Sequence, residues 1–232
     1  MIDENIFYDA SMYDNIARLV FKDYAKNIEI AANAVPSNIN SGLEIGIGTG
    51  NLTFKVRDKI ESKLRQVCFY GLDTNAKLVS VAQDRISGLK IMIGDMIDTP
   101  FLRVDMIYSS MTIHHTPTER REELLRKIAH ATNMGFVNFD FALDKQTTYR
   151  DVINLVKDYA MGNISEEVLQ SFKLNSESKK EIPQIIENRM LKNDNYMSLD
   201  FQREVFENMG MNFEVLRHDR PYVVYSAFWP DK

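Results

Sequence analysis

The stretch Leu43-Glu44-Ile45-Gly46-Ile47-Gly48-Thr49-Gly50-Asn51-Leu52-Thr53 reads as a buried strand running into a glycine loop and then a helix. Glycines at 46, 48 and 50 let the backbone turn tightly and keep side chains out of the space between loop and ligand. The helix after the loop starts with N–H groups that have no partner inside it, so a ligand is expected there. Counting from Gly46, the dinucleotide fingerprint G-x-G-x-x-G needs a glycine where this chain has Asn51. That argues against a nicotinamide dinucleotide. Taken alone, the stretch is also compatible with a bare strand-turn-helix corner, and the acids further along the chain separate the two.

Val67 to Asp73 reads as a second buried strand that ends in an acid. A carboxylate roughly two dozen residues past a glycine loop, at the tip of the neighbouring parallel strand, is placed to accept both hydroxyls of a ribose. The plainer role for Asp73 is to cap a helix over Asn75 to Arg85. Leu89 to Ile93 runs into Gly94-Asp95-Met96, again an acid just past a strand, with a loop-capping role as the alternative. A fourth strand, Val104 to Ser109, leads into Ser110-Met111-Thr112-Ile113-His114-His115. Open parallel sheets deliver ligand contacts at their carboxyl ends, so Ser109, Ser110 and both histidines are expected to face the site.

Glu44-x-Gly46-x-Gly48-x-Gly50, with Asp73 and Asp95 after the next two strands, resembles the class I S-adenosylmethionine-dependent methyltransferases of small-molecule type. The resemblance covers residues 40–140 by motif and 198–230 by architecture. It implies S-adenosyl-L-methionine as cofactor: Glu44 orienting the loop, Gly46, Gly48 and Gly50 against the methionine end, and Asp73 with Thr74 at the ribose. It further implies Asp95 at the adenine amine, the Met96 backbone N–H at a ring nitrogen, and Ser109 and Ser110 below the methyl group. The lead-in Phe7 to Asp14 resembles the aromatic-and-acid segment in which a tyrosine folds over the cofactor, with Tyr8 and Tyr13 as candidates; Tyr13 is expected at the cofactor and Tyr8 at the acceptor, together with Tyr149 and Tyr159 of the later insertion. Alternatively, these aromatics only staple a helix to the domain.

Residues 5–33 read as one helix once past Tyr13-Asp14, with Ile16, Leu19, Val20 and Tyr24 on one face and Pro36 at its exit. Thr118 is placed to cap an amphipathic helix carrying Leu124, Leu125, Ile128 and Ala129. In the strand Gly135 to Phe141, Asn138 and Asp140 either face the cleft or close hydrogen bonds at the strand end. Asp144 to Met197 far exceeds the roughly 2 to 6 residues of a plain connection. It reads as a helical insertion: Val152, Leu155, Val156 and Tyr159 on one face, a second helix from Ser165 with Val168, Leu169 and Phe172, a polar hinge over residues 175–180, and a third helix from Pro183. A substrate lid and an oligomerisation element both fit that pattern. Ser198 caps a last helix that Gly210 ends. Phe213 to His218 and Tyr222 to Trp229 are joined by only Asp219-Arg220-Pro221, so they form an antiparallel hairpin that leaves a reversed strand at the sheet edge. The fold expected is a single α/β domain over 1–232, a Rossmann-like doubly wound seven-stranded sheet, mostly parallel with a C-terminal antiparallel hairpin. Residues 1–36 form an N-terminal helical lid segment and 144–197 the insertion.

Composition narrows the function classes. The 232 residues are 44% hydrophobic, with 28 basic and 33 acidic side chains and a net charge of −5. No apolar run approaches the roughly 18 to 20 residues of a membrane span. The acidic start, lacking a basic-then-apolar leader, and the single Cys68 lead to the expectation of a soluble, cytoplasmic protein with no membrane partner. Net negative charge and the lack of a continuous Lys/Arg track favour small acceptors over nucleic acid, although Lys173, Lys179, Lys180, Arg189 and Lys192 could gather on one face.

Methyl transfer needs an in-line approach, and orienting the reactants can supply roughly 7 to 11 kcal/mol of barrier reduction. A general base adds only about 10²- to 10⁴-fold. His114 and His115 are the catalytic candidates, expected to face in different directions, one of them packing or capping the next helix. No metal is expected, because zinc needs three well-spaced ligands and His130 and His218 lie in other elements. The reading is therefore an enzyme that methylates a small-molecule acceptor. The alternatives are an RNA-modifying enzyme of the same fold, including one using an altered cofactor, and a non-catalytic cofactor-binding interaction protein.

Overall fold

A computed structural model describes residues 13–61, 66–171 and 178–230. Ser41–Ile45 (β1), whose last four residues are all buried, occupies an inner position of the sheet, as an apolar strand covered on both faces must. It pairs in parallel with Cys68–Asp73 (β2) on one side and Val104–Ser110 (β4) on the other. Lys90–Ile93 (β3) lies beyond β2, and Thr132–Phe141 (β5) beyond β4, both parallel. Asn212–Asp219 (β6) and Tyr222–Phe228 (β7) complete a seven-stranded sheet of order β3-β2-β1-β4-β5-β7-β6. β7 is antiparallel to both β5 and β6. The reversed strand is thus not at the edge: β7 is threaded between its neighbours, where its buried run Tyr222 to Ala227 belongs, and the half-exposed β6 takes the rim.

Helices cover both faces. Tyr13–Val20 (α1), Tyr24–Ala34 (α2), Asn51–Glu61 (α3) and Ala76–Arg85 (α4) share one apolar cluster with Tyr149–Asn163 (α6) and Ile182–Asn193 (α8). Arg121–Ala131 (α5) and Leu199–Asn208 (α9) cover the other face through Leu124, Leu125, Ile128, Val205 and Phe206. Glu166–Ser171 (α7) is a short helix between α6 and α8.

Two local expectations are corrected. The single N-terminal helix is two, because Asp23 adopts a left-handed φ of 55° held by Arg217 at 2.5 Å, while Phe21 meets the rings of Phe141 and Tyr222 edge-on. Thr118 does not cap α5: it opens a short 3-10 turn after Pro117, and α5 starts only at Arg121, without a side-chain cap. The insertion is closed at its base by an isolated parallel bridge between Leu143 and Ser198, with Leu143 N–H on the Met197 carbonyl at 3.0 Å and Leu199 N–H on the Leu143 carbonyl at 2.9 Å. Thr148 and Asp151 form a capping box at the start of α6. Among the described residues no helix is long and apolar enough to cross a membrane.

Candidate active site

The glycine loop joins β1 to α3 through left-handed backbone at Gly46, Gly48 and Gly50. A Cβ on Gly46 would come within 2.2 Å of the Thr112 side chain, so this position is closed to any other residue by both φ and space. At Gly48 a Cβ would meet only Tyr13, at 3.8 Å, and its bare face forms part of an open cleft. The loop's N–H groups do not reach for an anion. Gly46 and Ile47 both donate to the Leu72 carbonyl, Gly48 donates to Asp73 Oδ2 at 2.8 Å, and Gly50 donates to the Ile47 carbonyl. Thr53 N–H, in the first turn of α3, is taken by Glu44 Oε2 at 2.9 Å, and the Thr53 hydroxyl donates to the same oxygen at 2.6 Å.

Glu44 is wholly buried. Burial pushes its carboxyl up to about 8, against the pull of the Thr53 hydrogen bonds. It therefore ties β1 to α3 from beneath and offers no atom to the cleft. Asp73, at the tip of β2, accepts from Gly48 N–H and, through Oδ1, from Asn75 N–H at 2.8 Å. Two backbone donors hold the carboxylate still, and its remaining lone pairs face the cleft. The cap of α4 is Asn75, which accepts from the Lys77 and Leu78 N–H groups, so Asp73 is not spent as a helix cap. Asp95, past β3, accepts the Ile97 N–H with one oxygen.

These residues line a cleft of about 330 Å³ at the carboxyl ends of β1 to β4: Tyr13, Gly46, Gly48, Asp73, Thr74, Asp95, Met96 and His115, joined by Met111, Thr112, Arg189 and Asn193 among others. Met111 holds a left-handed φ of 52° where β4 ends, unusual for a side chain of its size and a sign of a constrained rim. A smaller adjoining cavity has apolar walls from Ile16, Val20, Phe141, Val156 and Met190, and shares Tyr13, Met111, His115 and Arg189 with the cleft. Burial and then the nearby Asp73 push the Tyr13 hydroxyl up to about 12, so it stays a donor.

The histidines do not point apart. Their ring centroids are 4.0 Å from each other and both rings approach Asp194, just beyond α8: His114 Nε2 lies 3.7 Å and His115 Nδ1 3.4 Å from its Oδ1. Asp140, fully buried near the end of β5, lies 2.5 Å from His114 Nδ1 and also accepts the Thr112 and His114 N–H groups. Burial disfavours the charged His114 ring, yet Asp140 and then Asp194 outweigh it and raise its pKa; Asp194 is lowered, with His114 and His115 overcoming the cost of burial.

Several expected contacts lie elsewhere. Gly50 packs against Ile86 and Ala82. Ser109 is buried, donating to Asn138 at 2.6 Å, and neither Ser109 nor Ser110 lines the cleft. His114 faces only the smaller cavity. The Tyr149 hydroxyl donates to the Met190 and Asp194 carbonyls, and Tyr149 and Tyr159 line neither cavity. Tyr8 and residues 7–12, like Phe172, Lys173 and the first part of the expected hinge, lie outside the described residues. Asp194, Arg189 and Asn193 enter the site without a sequence signal, because nothing in their spacing refers to strands so far away. Asp14 is a further residue that the motifs pass over: it accepts from Thr49 and Asn51 at 2.5 and 2.8 Å and pairs with Arg85 at 3.5 Å, fastening α1 across the loop. Its acid next to the expected Tyr13 was the available signal.

Residues 43–135 match a family model described as a methyltransferase domain. A protein of Anoxybacillus flavithermus named as an uncharacterized methyltransferase is 27% identical over 171 residues, covering 71% of this chain and 76% of that one. Human N-acetylserotonin methyltransferase in complex with S-adenosylmethionine superposes with a TM-score of 0.60 at 12% identity; the match takes in 97% of this chain but only 57% of the human one. Magnesium protoporphyrin IX methyltransferase from Synechocystis, with S-adenosylhomocysteine bound, gives 0.59 at 14% identity over 96% of both chains. At such identities the two structures speak for the fold alone.

Proposed function

We propose that this chain, a class I S-adenosylmethionine-dependent methyltransferase, methylates a small molecule seated in the mostly apolar cavity beside the cofactor cleft. S-adenosylmethionine supplies an electrophilic methyl group on a sulfonium. The residues present fit it: a loop with no side chain at Gly48, loop N–H groups at Gly46, Ile47, Gly48 and Gly50 engaged within the protein, and two carboxylates spaced along the strand tips. Under this reading Gly46 and Gly48 border the methionine end, Asp73 with Thr74 takes the ribose hydroxyls, and Asp95 with Met96 receives the adenine. Tyr13 closes over them, carried by the α1 that Asp14 fastens to the loop. Glu44 and Gly50 act one step removed, by setting the loop's shape.

The observation that carries the small-molecule reading is the adjoining cavity itself. Its walls are mostly apolar, with His114, His115, Arg189 and Asp194 as the polar groups, and it meets the cleft at Met111 and His115, so an acceptor there would present its nucleophile to the seam between the two. His115, exposed on one side, is in position to take the acceptor's proton, and α1, α6 and α8 would order around the acceptor as a lid that excludes water. Net negative charge favours this over a nucleic-acid acceptor.

The test is methylation by the pure protein with tritiated cofactor, small phenols, amines and thiols in one arm and bulk RNA in the other. Incorporation into the small acceptors at a rate indifferent to salt between about 50 and 200 mM supports the reading. Methylated RNA would end it. Hydrogen exchange that slows over 149–163 and 182–193 when cofactor and acceptor are both present supports the lid, whereas a shift in oligomeric state without that protection favours an association surface.

A further inference from the structure

His114, His115, Asp140 and Asp194 are brought together by three separate segments, and the proposed methyl transfer uses only one of them. Asp140 takes the Nδ1 side of His114 at 2.5 Å, which turns Nε2 away from it. Nε2 looks at Asp194 Oδ1 from 3.7 Å, with both side chains almost wholly buried. A ring nitrogen and a carboxylate oxygen facing each other in a buried place need a positive charge between them, either a proton on Nε2 or a metal ion. His115 Nδ1 approaches the same oxygen at 3.4 Å, and the Tyr196 hydroxyl holds the other oxygen of Asp194 at 2.8 Å. Oδ1 is thereby left as the single oxygen offered to both rings.

The spacing suits an ion. Ligands 2.0–2.1 Å from a tetrahedral centre stand about 3.3 Å from one another. The three donor atoms here lie within 4.8 Å of one another. A carboxylate on the far nitrogen of a ligating histidine, which Asp140 supplies, is what orients such rings in zinc proteins. The Asn193 carbonyl at the end of α8 is the hydrogen-bond partner of His115 Nδ1 at 3.1 Å, a contact that an ion on that nitrogen would replace. Two imidazoles and one carboxylate are the donors of a borderline transition ion, whereas magnesium and calcium take oxygen.

We propose that His114, His115 and Asp194 form a binding site for a divalent transition ion of the zinc kind, with its open position toward the acceptor cavity. Three protein ligands with one place free is the pattern of a catalytic zinc site. The ion would pin α8 to the end of β4 and offer the acceptor's heteroatom a Lewis acid, which would activate it in place of proton removal by His115. That last role rests on the methyl-transfer reading, but the site does not.

The test measures the metal directly, without acceptor. Full-length protein stripped with chelator is dialysed against Zn²⁺, and against Co²⁺ as a spectroscopic probe, with cofactor affinity followed separately by calorimetry. Expected are one equivalent of tightly held Zn²⁺ and the intense visible bands of four-coordinate Co²⁺. H115A and D194N should each weaken Zn²⁺ binding by at least about 100-fold and D140N by about 10- to 100-fold, while H218A, altering a histidine outside the cluster, should leave it unchanged. Because His115 is partly exposed, H115A is the variant least prone to misfold, and an unchanged circular-dichroism spectrum and melting temperature in the absence of metal certify its fold. Zn²⁺ held at less than one equivalent, or held equally by H115A, would overturn the site. So would an NMR spectrum showing His114 doubly protonated and unmoved by Zn²⁺, since a proton then fills the gap. Loss of cofactor binding in the unaltered protein would count against the methyltransferase reading alone.

Discussion

On the β1–β3 wall of the cleft, neighbouring strand ends supply Gly46, Gly48, Asp73 and Asp95, and backbone N–H groups hold the acids in place: Gly48 to Asp73, 25 residues on, Asn75 to Asp73 again, and Ile97 to Asp95. On the opposite wall His114, Asp140 and Asp194 come from the end of β4, from β5 and from beyond α8, and they hold one another through side chains, with the Thr112, His114 and Phe141 N–H groups on Asp140 as well. The first wall is set by strand order and register, so it stands whether or not anything is bound. The second stands only if the insertion docks correctly, which its base at Leu143–Ser198 and the Asn195 N–H on the His114 carbonyl arrange. The walls thus differ in what fixes them, strand register for one and docking of the insertion for the other.

The largest effect that can break this contrast is expected at Gly46. An alanine there takes on a left-handed φ, costing about 1 to 2 kcal/mol, and an overlap with buried Thr112 worth about 1 to 3 kcal/mol more. Urea unfolding should show G46A destabilised by about 2 to 4 kcal/mol; native stability in that variant would mean the loop is not the rigid wall described.

Next is D73A, which removes a charged acceptor worth about 1.5 to 3 kcal/mol and should weaken S-adenosylmethionine binding about 10- to 150-fold by calorimetry. D194N, on the other wall, should leave that affinity nearly intact. Equal losses in the two would erase the distinction between the walls.

A smaller, pH-dependent effect belongs to Glu44. Its folded carboxyl keeps a proton up to about pH 8, whereas the unfolded chain releases it near the ordinary glutamate value of 4.5. Stability therefore falls as pH rises through that window and levels off above it. E44Q has no proton to lose, so its melting temperature should gain on the parent between pH 5 and 8.5. A net gain of about 1 to 2 kcal/mol would show as about 2 to 8 °C. Parallel pH profiles for the two proteins would mean Glu44 is ionised in the fold.

The smallest is T148A. Losing the α6 capping box costs about 1 kcal/mol. Amide exchange over 149–163 should quicken while cofactor affinity stays within about twofold. A marked loss of cofactor affinity would show that the insertion supports the first wall as well.

The sequence alone determined the Rossmann-like sheet and the gathering of Gly46, Gly48, Asp73 and Asp95 in one cleft. Loop glycines and strand-end acids fall at spacings that a parallel sheet converts into neighbours, because each crossover returns the chain to the same edge. Short-range signals also held, such as Ser198 capping α9 and the three-residue link that forced β6 and β7 into a hairpin. Only the tertiary structure decided that Asp23 breaks the first helix, that β7 lies inside β6, and that Gly50, Ser109 and Tyr149 turn away from the cleft. Each depends on a partner far along the chain: Arg217 for Asp23, Asn138 for Ser109, and the Met190 and Asp194 carbonyls for Tyr149. The convergence of His114, His115 and Asp194 is the strongest case. Periodicity reports which face of an element is apolar, but the docking of an insertion is fixed by individual packing and charge contacts that leave no period in the sequence.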